Sequence, residues 1–447
     1  MMAPKTDWGP TCSIFSFDSA ITMRLLNVET YELKDIRQNV KYAILSHRWY
    51  EQEITFEDLN AAQLKDVREQ SPQLEKIRGA CSQAKKDKLD WIWIDSCCIN
   101  KDSSQELTRS INSMFQWYQK ATVCYTYLTD VELTPGTHLF EQQDTKGRKY
   151  SEWFERGWTL QELLAPRHMV FFDKNWELIG TRAELANDVS RITGIDAQYL
   201  VGGETFRNAS IATRLSWQAG RRTTEIEDIA YSLVGILGVQ LVPTYGEGEQ
   251  AFQRLQGEIL KTLPDESIFA WTAPAGKLPS HSRTWASDQW GLLAPSPDCF
   301  KNSRDVTING PSKWRPPGGI ATTAEGVKFP MPKKDLQTTP TWINYVAVFT
   351  PPFLGPILWL AVSRYLHSHR KDFPLTLNCW RKNELGKLKP VQVFVSRDTK
   401  GDQLWRRCRC AELGSTDKIP SSKPSNGQQG YSDIMVLQPT GVRWPNE

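Results

Sequence analysis

SSQELTRSINSMFQWYQKATVCYTYL, at residues 103–128, is a helix pattern followed directly by a strand pattern. In its first part, apolar residues recur every three or four positions, which is the spacing of one buried helix face. They are Leu107, Ile111, Met114, Tyr118 and Ala121. Ser103 and Glu106 have the spacing of a capping box, which predicts that the helix begins here. Val123–Leu128 is a short apolar and aromatic run, which is typical of a buried strand.

The same alternation extends to both sides of this unit. Three further apolar runs predict strands, at Tyr42–Ser46, Trp91–Asp95 and Met169–Phe172. Strands that alternate with helices need crossover connections, and these produce a parallel sheet with helices on both faces. We therefore predict a doubly wound α/β domain, in which ligands bind beyond the carboxyl ends of the strands.

The pattern changes twice after this domain. Residues 188–263 have helical spacing, with amphipathic helices predicted at Ile226–Leu237 and Ala251–Leu260. Residues 264–447 are richer in Gly and Pro and predict a separate β-rich C-terminal module, in which residues 414–430 form a mobile loop. The predicted strands of this module are Gly318–Thr322, Tyr345–Phe349, Ile357–Val362, Leu375–Cys379, Val391–Ser396 and Asp433–Gln438.

Composition excludes several classes of protein. The 447 residues carry 54 Lys+Arg and 51 Asp+Glu, a net charge of +3, so bulk electrostatics does not drive binding to nucleic acid or to an anionic membrane. A hydrophobic fraction of 40% is enough for real cores and argues against wholesale disorder.

The cysteines and the apolar runs predict a soluble, cytoplasmic protein. Nine cysteines are too sparse for a disulfide scaffold, and Asp18 interrupts the only N-terminal run that resembles an export signal. The run at residues 343–363 contains three prolines and a glycine, so it is too short to span a membrane.

Two common ligand motifs are missing or misplaced. The sequence has no Cys-x-x-Cys pair and no HExxH motif, so we predict no metal site. Gly246–Ala251 has the spacing G-x-G-x-x-A, but it lies late in the chain and carries Glu247 and Glu249, which would repel a pyrophosphate. We interpret this turn as the start of a helix.

Polar residues follow the first two predicted strands. Ser46, His47, Arg48 and Trp49 end the first strand, where they are able to hold an anionic aromatic ligand. The alternative is a histidine bonded to backbone beside a packing tryptophan, and position leaves both open. Asp95 ends the second strand, where a carboxylate is costly to bury unless it is paired, for example with Arg48, or used.

A nucleophilic cysteine is a further reading of this strand end. Cys97 or Cys98 with His47 would supply a nucleophile and a base. The sequence offers no third group at a recognisable spacing to orient that base, so the reading is disfavoured.

Residues 153–166, WFERGWTLQELLAP, combine a helix start with a carboxylate. Gly157 interrupts the chain, a helix begins near Trp158, and Glu162 lies among leucines one turn further on. There the carboxylate is able to stabilise a developing positive charge. The alternative is a solvent-facing Glu162 paired with Arg156 or Arg167, and the spacing favours this alternative.

Several ordered blocks resemble the HET (heterokaryon incompatibility) domain of filamentous fungi. They include MRLLN at 23–27, YAILSHRW at 42–49, WIDSCCINK at 93–101, INSMFQWY at 111–118 and RGWTLQELLAP at 156–166. The resemblance continues through SIATRLSW, EDIAYSLVGI and YGEGEQAFQRLQ, within residues 210–256, into a region that follows HET in many fungal members. It implies a HET domain at 23–187, completed by the helical segment 188–263, and an N-terminal extension at 1–22. Tyr50 and Asn100 depart from the usual glycine and aspartate.

HET domains are regarded as distant relatives of the TIR fold, so the resemblance implies a TIR-like sheet. Many TIR domains carry W-C-x-x-E, whose glutamate cleaves the nicotinamide–ribose bond of NAD. Trp158–Glu162 has the same spacing, with Thr159 in place of cysteine. The resemblance thus implies that Glu162 is catalytic and that NAD is a substrate, with no bound cofactor. The implied substrate-binding residues are Ser46, His47, Arg48, Trp49, Asp95 and Trp158. Of these, the resemblance implies that Arg48 and His47 hold phosphates and that Trp49 or Trp158 stacks on a base.

Two classes of function follow from this resemblance. The first is nonself recognition and regulated cell death through NAD hydrolysis. The second is a non-enzymatic domain that self-associates or docks an incompatibility partner protein. A role in a metabolic gene neighbourhood is a third possibility. The sequence has no P-loop and no repeats, so we expect the trigger to act through the β-rich tail or a separate protein.

Overall fold

The computed structural model describes most of the chain. The described residues are 23–36, 40–61, 71–134, 140, 150–201, 205–274, 278, 289–310, 320–323, 325–332, 372–397, 404–415 and 431–438. The predicted extension 1–22 and the predicted strands Tyr345–Phe349 and Ile357–Val362 lie outside them.

A mixed sheet organises the first half of the chain. Its described strands are β1 Met23–Asn27, β2 Leu33–Ile36, β3 Ala43–His47, β4 Trp91–Trp93, β5 Val123–Tyr127, β6 Met169–Phe172 and β7 Leu178–Thr181. They are arranged in the order β2-β1-β4-β3-β5-β6-β7. The strands predicted from sequence, β3 to β6, are neighbours in this order and pair in parallel.

The prediction of a purely parallel sheet is wrong at both edges. Strands β1 and β2 extend the sheet beyond β4, and β7 extends it beyond β6, all with antiparallel pairing. Strands β2 and β7 contain no buried residue, so their sequences lack the apolar pattern that marks the central strands.

Helices connect the parallel strands. They are α1 Phe56–Ala61 and α2 Pro72–Lys86 between β3 and β4, α3 Ser104–Lys120 between β4 and β5, and α4 Thr159–Leu164 between β5 and β6. The chain leaves β3 for β4 on one side and later returns past β3 to β5 on the other. The strand order therefore reverses at β3, and the carboxyl end of this strand is where open α/β sheets bind ligands.

The predicted capping box of α3 is half correct. Ser103 is the N-cap, and its Oγ accepts a hydrogen bond from the Glu106 backbone N–H at 3.3 Å. The Glu106 carboxylate does not reach back to Ser103. It accepts hydrogen bonds from Arg24 at 2.6 Å and from the Asn100 backbone N–H at 2.9 Å. A cation on β1 therefore outcompetes the local partner.

A helical segment follows the sheet. It contains α5 Ala186–Thr193, α6 Ile211–Ser216, α7 Asp228–Tyr231, α8 Val234–Leu237 and α9 Gln250–Thr262. Helix α9 confirms the prediction for Ala251–Leu260. The single helix predicted over Ile226–Leu237 is wrong, because the chain breaks between α7 and α8. Ser232 lies at this break, where its hydroxyl donates to the Ile229 carbonyl and competes with the backbone ladder.

A second sheet is formed by the C-terminal part. Its described strands are β8 Ala321–Thr322, β9 Gly326–Pro332, β10 Phe373–Lys382, β11 Leu388–Arg397, β12 Leu404–Cys408, β13 Gly414–Ser415 and β14 Tyr431–Leu437. They follow the order β10-β11-β12-β14-β9-β8, with β13 pairing with β11. Four of the predicted strands overlap β8, β10, β11 and β14.

The mobile loop predicted at 414–430 is wrong at its first two residues. Gly414 and Ser415 form β13, where Gly414 pairs with Gln392 of β11. The loop was predicted from its content of Ser, Pro, Gly and Lys. Composition alone does not show that two of these residues pair with a strand that is distant in the sequence. Residues 416–430 lie outside the described part of the chain.

Buried polar contacts join the second sheet to the segment before it. Arg407 of β12 is fully buried and donates to the carbonyl of Phe269 at 3.0 Å and to that of Trp271. The Glu266 carboxylate accepts from the backbone N–H and the side chain of Asn378 on β10, both at 2.8 Å. None of the described helices has the length and apolar character needed to cross a bilayer.

Two glycines within helices should respond differently to substitution by alanine, Gly235 by losing stability and Gly257 by keeping or gaining it. A methyl group at Gly235 of α8 would overlap the side chain of Phe115 on α3, so we expect Gly235→Ala to lower the free energy of unfolding by about 1–3 kcal/mol. A methyl group at Gly257 of α9 finds no atom closer than 4.0 Å, so Gly257→Ala should be neutral or stabilise by about 0.5–1 kcal/mol. Urea denaturation of both variants checks this, and equal effects would contradict the packing.

Candidate active site

Glu162 lies buried beneath the carboxyl end of β3. Its side chain on α4 reaches Ser46, whose Oγ donates to Glu162 Oε2 at 2.5 Å. The indole Nε1 of Trp153 donates to the same Ser46 Oγ at 2.9 Å. The Tyr118 hydroxyl, which donates to the Leu45 carbonyl at 3.0 Å, also contacts the Glu162 carboxyl.

The prediction that Glu162 faces solvent and pairs with Arg156 or Arg167 is therefore wrong. The residue is only 6% exposed, and its hydrogen-bond partners are neutral hydroxyl groups. Spacing on a single helix does not reveal this burial, because the groups that cover Glu162 come from β3 and α3.

Burial controls the charge of Glu162. Loss of water around the carboxyl, and then the negative charge of Asp95, raise the pKa of Glu162 to about 8. The hydrogen bond from Ser46 and the positive charge of Arg156 oppose this shift. At neutral pH most molecules therefore hold a protonated Glu162, and a minority hold the carboxylate.

His47 is enclosed by charged side chains. Its imidazole is fully buried, with Nε2 at 3.7 Å from Asp95 Oδ1 and 3.9 Å from Glu53 Oε1. Burial first, and then the cations of Lys76, Arg156 and Lys101, hold the pKa of His47 well below its usual range. A neutral, enclosed imidazole is a poor phosphate ligand, so the predicted phosphate contact by His47 is not supported.

The alternative for His47, a hydrogen bond to backbone, is wrong as well. Neither imidazole nitrogen has a hydrogen-bond partner among the described residues. Beneath the imidazole, Lys76 of α2 forms a buried ion pair with Glu53. Glu53 Oε1 also accepts from the Tyr50 backbone N–H at 2.8 Å.

Asp95 and Trp49 form one unit beside Glu162. Trp49 Nε1 donates to Asp95 Oδ2 at 2.8 Å, and the ammonium group of Lys101 lies 3.1 Å from the centroid of the Trp49 ring. One face of that indole is therefore occupied by a cation, which leaves it less able to stack on a ligand base than the sequence suggested.

Arg48 extends away from this unit. Its guanidinium pairs with Glu152 at 2.5 Å, so the predicted pairing of Asp95 with Arg48 is wrong. The structure thus forms two groups, Ser46 with Glu162 and His47 and Trp49 with Asp95, which are linked by the effect of the Asp95 charge on the pKa of Glu162.

Trp158 is the N-cap residue of α4 and is half-buried. Its Nε1 donates to Asp228 Oδ2 of α7 at 2.9 Å, and the Tyr245 hydroxyl donates to the other oxygen of Asp228 at the same distance. Trp158 is thereby held by the helical segment that follows the sheet. Sequence reasoning did not single out Asp228 or Tyr245.

Two buried arginines hold α4 at its two ends. Arg221 Nη1 donates to the Arg156 carbonyl at 2.9 Å and to Thr159 Oγ1 at 3.0 Å. Arg182 donates to the Leu163 carbonyl and, at 2.8 Å, to the Pro166 carbonyl. A six-residue helix is marginal without such support. These arginines were missed because no local pattern links residues so far apart in the chain.

The cysteines do not support a nucleophilic or metal site. The eight described cysteines are all buried. A hydrogen bond with Cys98, together with burial, raises the pKa of the Cys97 thiol well above its usual range, so the reactive thiolate is suppressed. Within the described part of the chain, no cluster of His, Cys, Asp and Glu is arranged to hold a metal ion.

Comparison with known proteins identifies parts of this chain. Residues 42–146 match the family model described as heterokaryon incompatibility protein (HET), a range that includes Ser46 and Asp95 and ends before Glu162. Residues 250–312 match a domain of unknown function, DUF8212.

One relative is the vegetative incompatibility protein HET-E-1 of Podospora anserina, which is 42% identical over 231 residues. That alignment covers 49% of this chain and 16% of the relative, so the chain spans a small part of that protein's length. No solved structure matches the chain.

Proposed function

We propose that this chain, whose residues 42–146 match the HET family model, acts in heterokaryon (vegetative) incompatibility, in nonself recognition that ends in regulated cell death. We further propose that it does so in the cytoplasm by cleaving the nicotinamide–ribose bond of NAD, with Glu162 as the catalytic residue. The observation that carries this proposal is the buried Glu162 carboxyl, held by Ser46 beside Asp95.

The proposed chemistry uses the ionised form of Glu162. When the glycosidic bond breaks, its electron pair goes to the pyridinium nitrogen and nicotinamide leaves as a neutral molecule. Positive charge then develops on the ribose, and a carboxylate in a site with little water stabilises it strongly. Water adds to the ribose carbon and releases one proton.

We assign substrate binding to two further side chains, Trp158 and Arg156. Trp158 is half-buried and next to α4, so we assign it the stacking contact with a base. Arg156 is partly exposed, and its positive charge lowers the pKa of Glu162. No described residue accepts a hydrogen bond from its guanidinium. We therefore propose Arg156, in place of His47 and Arg48, as the phosphate ligand.

Expression of the full chain in a filamentous fungal host tests this function. We expect the wild type to kill cells and Glu162→Gln to abolish killing, while Glu258→Gln still kills. Glu258 is a suitable control because it lies on α9 and pairs with Lys261 at 2.7 Å, away from the site. Killing that survives Glu162→Gln would instead favour assembly, through self-association or an incompatibility partner protein.

A further inference from the structure

A pocket lies beside Arg221, which holds the first turn of α4. It has a volume of about 260 Å³ and is lined by Arg221 and Arg304, with Glu155 and Trp217 also in its wall. Trp217 and Arg304 also line an adjoining groove of about 910 Å³. None of the residues predicted from sequence to bind a substrate lines either space.

Arg221 is a buried cation whose hydrogen bonds to described residues all go to uncharged groups, including the Trp217 carbonyl at 3.1 Å. It is only 7% exposed, and while Nη1 bonds to the Arg156 carbonyl and to Thr159, Nη2 has no hydrogen-bond partner among the described residues. Glu162 is the carboxyl group whose charge acts on Arg221, and it is mostly protonated at neutral pH. An uncompensated charge inside a protein is costly, so a bound anion next to Arg221 would be stabilised.

Arg304 adds a second guanidinium to the wall of the pocket. Its side chain packs against Gly194, the left-handed residue that ends α5, where any side chain would overlap it. Among the described residues that line the smaller pocket, Glu155 is the one carboxylate, so two cations face one anion there. The adjoining groove adds Asp196 and also Asp305, which pairs with Arg381 at 2.7 Å. The charge of the smaller pocket therefore favours an anionic group in that pocket.

Two aromatic side chains, Trp217 and Tyr199, line the groove that adjoins the two guanidinium groups. Trp217 lies at the junction of the two spaces, and the ring of Tyr199 in the groove lies 5.4 Å from that of Trp217, at an angle of 53°. Guanidinium groups bind phosphate oxygens in pairs, and tryptophan and tyrosine rings pack against aromatic ligands. We propose that the pocket binds the phosphate group of a small ligand whose aromatic ring packs along Trp217 and Tyr199, as in a nucleoside monophosphate.

Occupation of this pocket would act on α4. Arg221 holds the first turn of that helix through hydrogen bonds to the Arg156 carbonyl and to Thr159. A ligand that binds the Arg221 guanidinium would therefore also change these hydrogen bonds. The pocket does not depend on NAD cleavage, and its ligand binds whether or not Glu162 is catalytic.

Calorimetric titration of the full chain with AMP and with adenosine tests this site. We expect AMP to bind at least tenfold more tightly than adenosine, because only AMP carries the phosphate. Arg304→Gln should weaken AMP binding about tenfold, and Glu155→Gln should tighten it severalfold because it removes the opposing charge. Arg191→Gln, at an exposed arginine of α5 that does not line the pocket, should leave binding unchanged.

Three outcomes would overturn the proposal. They are equal affinity for AMP and adenosine, unchanged AMP affinity in both Arg304→Gln and Glu155→Gln, or loss of AMP binding in Glu162→Gln alone. The last result would mean that AMP occupies the Glu162 site. Arg304 and Glu155 are both exposed, so their variants are expected to fold and a change in affinity reports on the pocket.

Discussion

Glu162→Gln should abolish the release of nicotinamide from NAD by the purified full chain, with a rate at least about 100-fold below the wild type. Glutamine has nearly the shape of the protonated glutamic acid and can still accept the hydrogen bond from Ser46. The fold should therefore survive, and the variant loses only the ability to become negatively charged. Chromatographic detection of nicotinamide measures the rate.

The rate of NAD cleavage should increase with pH, because the reactive form of Glu162 is the carboxylate. The pKa of Glu162 is raised to about 8, so the reactive carboxylate is the minor form at neutral pH. The wild-type rate should rise about tenfold per pH unit below pH 8 and level off above it. An acid optimum would mean that the protonated carboxyl is the working form.

The control for this experiment is Glu258→Gln, which removes a carboxylate of α9 that is paired with Lys261. It should cleave NAD at the wild-type rate and with the same pH profile. If wild type and Glu162→Gln release nicotinamide equally slowly, the catalytic assignment of Glu162 fails. The match of residues 42–146 to the HET family model would stand, because that range ends before Glu162.

Lys76→Met should cost about 3–5 kcal/mol of the free energy of unfolding, the largest effect we expect on stability. Lys76 is completely buried, and its ammonium pairs with Glu53, whose side chain is 3% exposed. Removal of the lysine leaves Glu53 as a buried anion without its cation. His47 lies 3.9 Å from Glu53, but its burial, the largest cause of its lowered pKa, remains in the variant and opposes a replacement charge there.

A double variant separates this effect from a general loss of packing. Glu53→Gln in the Lys76→Met background removes the unpaired anion, so we expect it to recover at least about half of the lost stability. Urea denaturation of the two single variants and the double variant measures the coupling. Additive losses would show that the two side chains contribute independently, contrary to the buried ion pair.

Local sequence patterns were sufficient for the central elements of the fold. Strands β3 to β6 are short apolar runs, α3 has an amphipathic repeat, and α4 begins where Gly157 interrupts the chain. In the tail, the runs within β10, β11 and β14 predicted strands for the same reason. In each case the residues that specify the element lie next to each other in the chain.

The edges of the sheet were beyond this reasoning. Strands β2 and β7 lie at the two edges and contain no buried residue, so their side chains show little of the apolar alternation that marks a strand. Their hydrogen bonds to β1 and β6 form only after the chain has folded back on itself.

For the candidate site, the sequence by itself determined which polar residues stand at the strand ends and that Glu162 follows a helix start. Only the tertiary structure decided that Glu162 is buried on Ser46, that Arg48 pairs with Glu152, and that distant arginines hold α4. The physical reason is that burial and charge pairing depend on groups brought together from separate elements. The pKa of a carboxyl is therefore a property of the folded surroundings, which spacing along one helix does not contain.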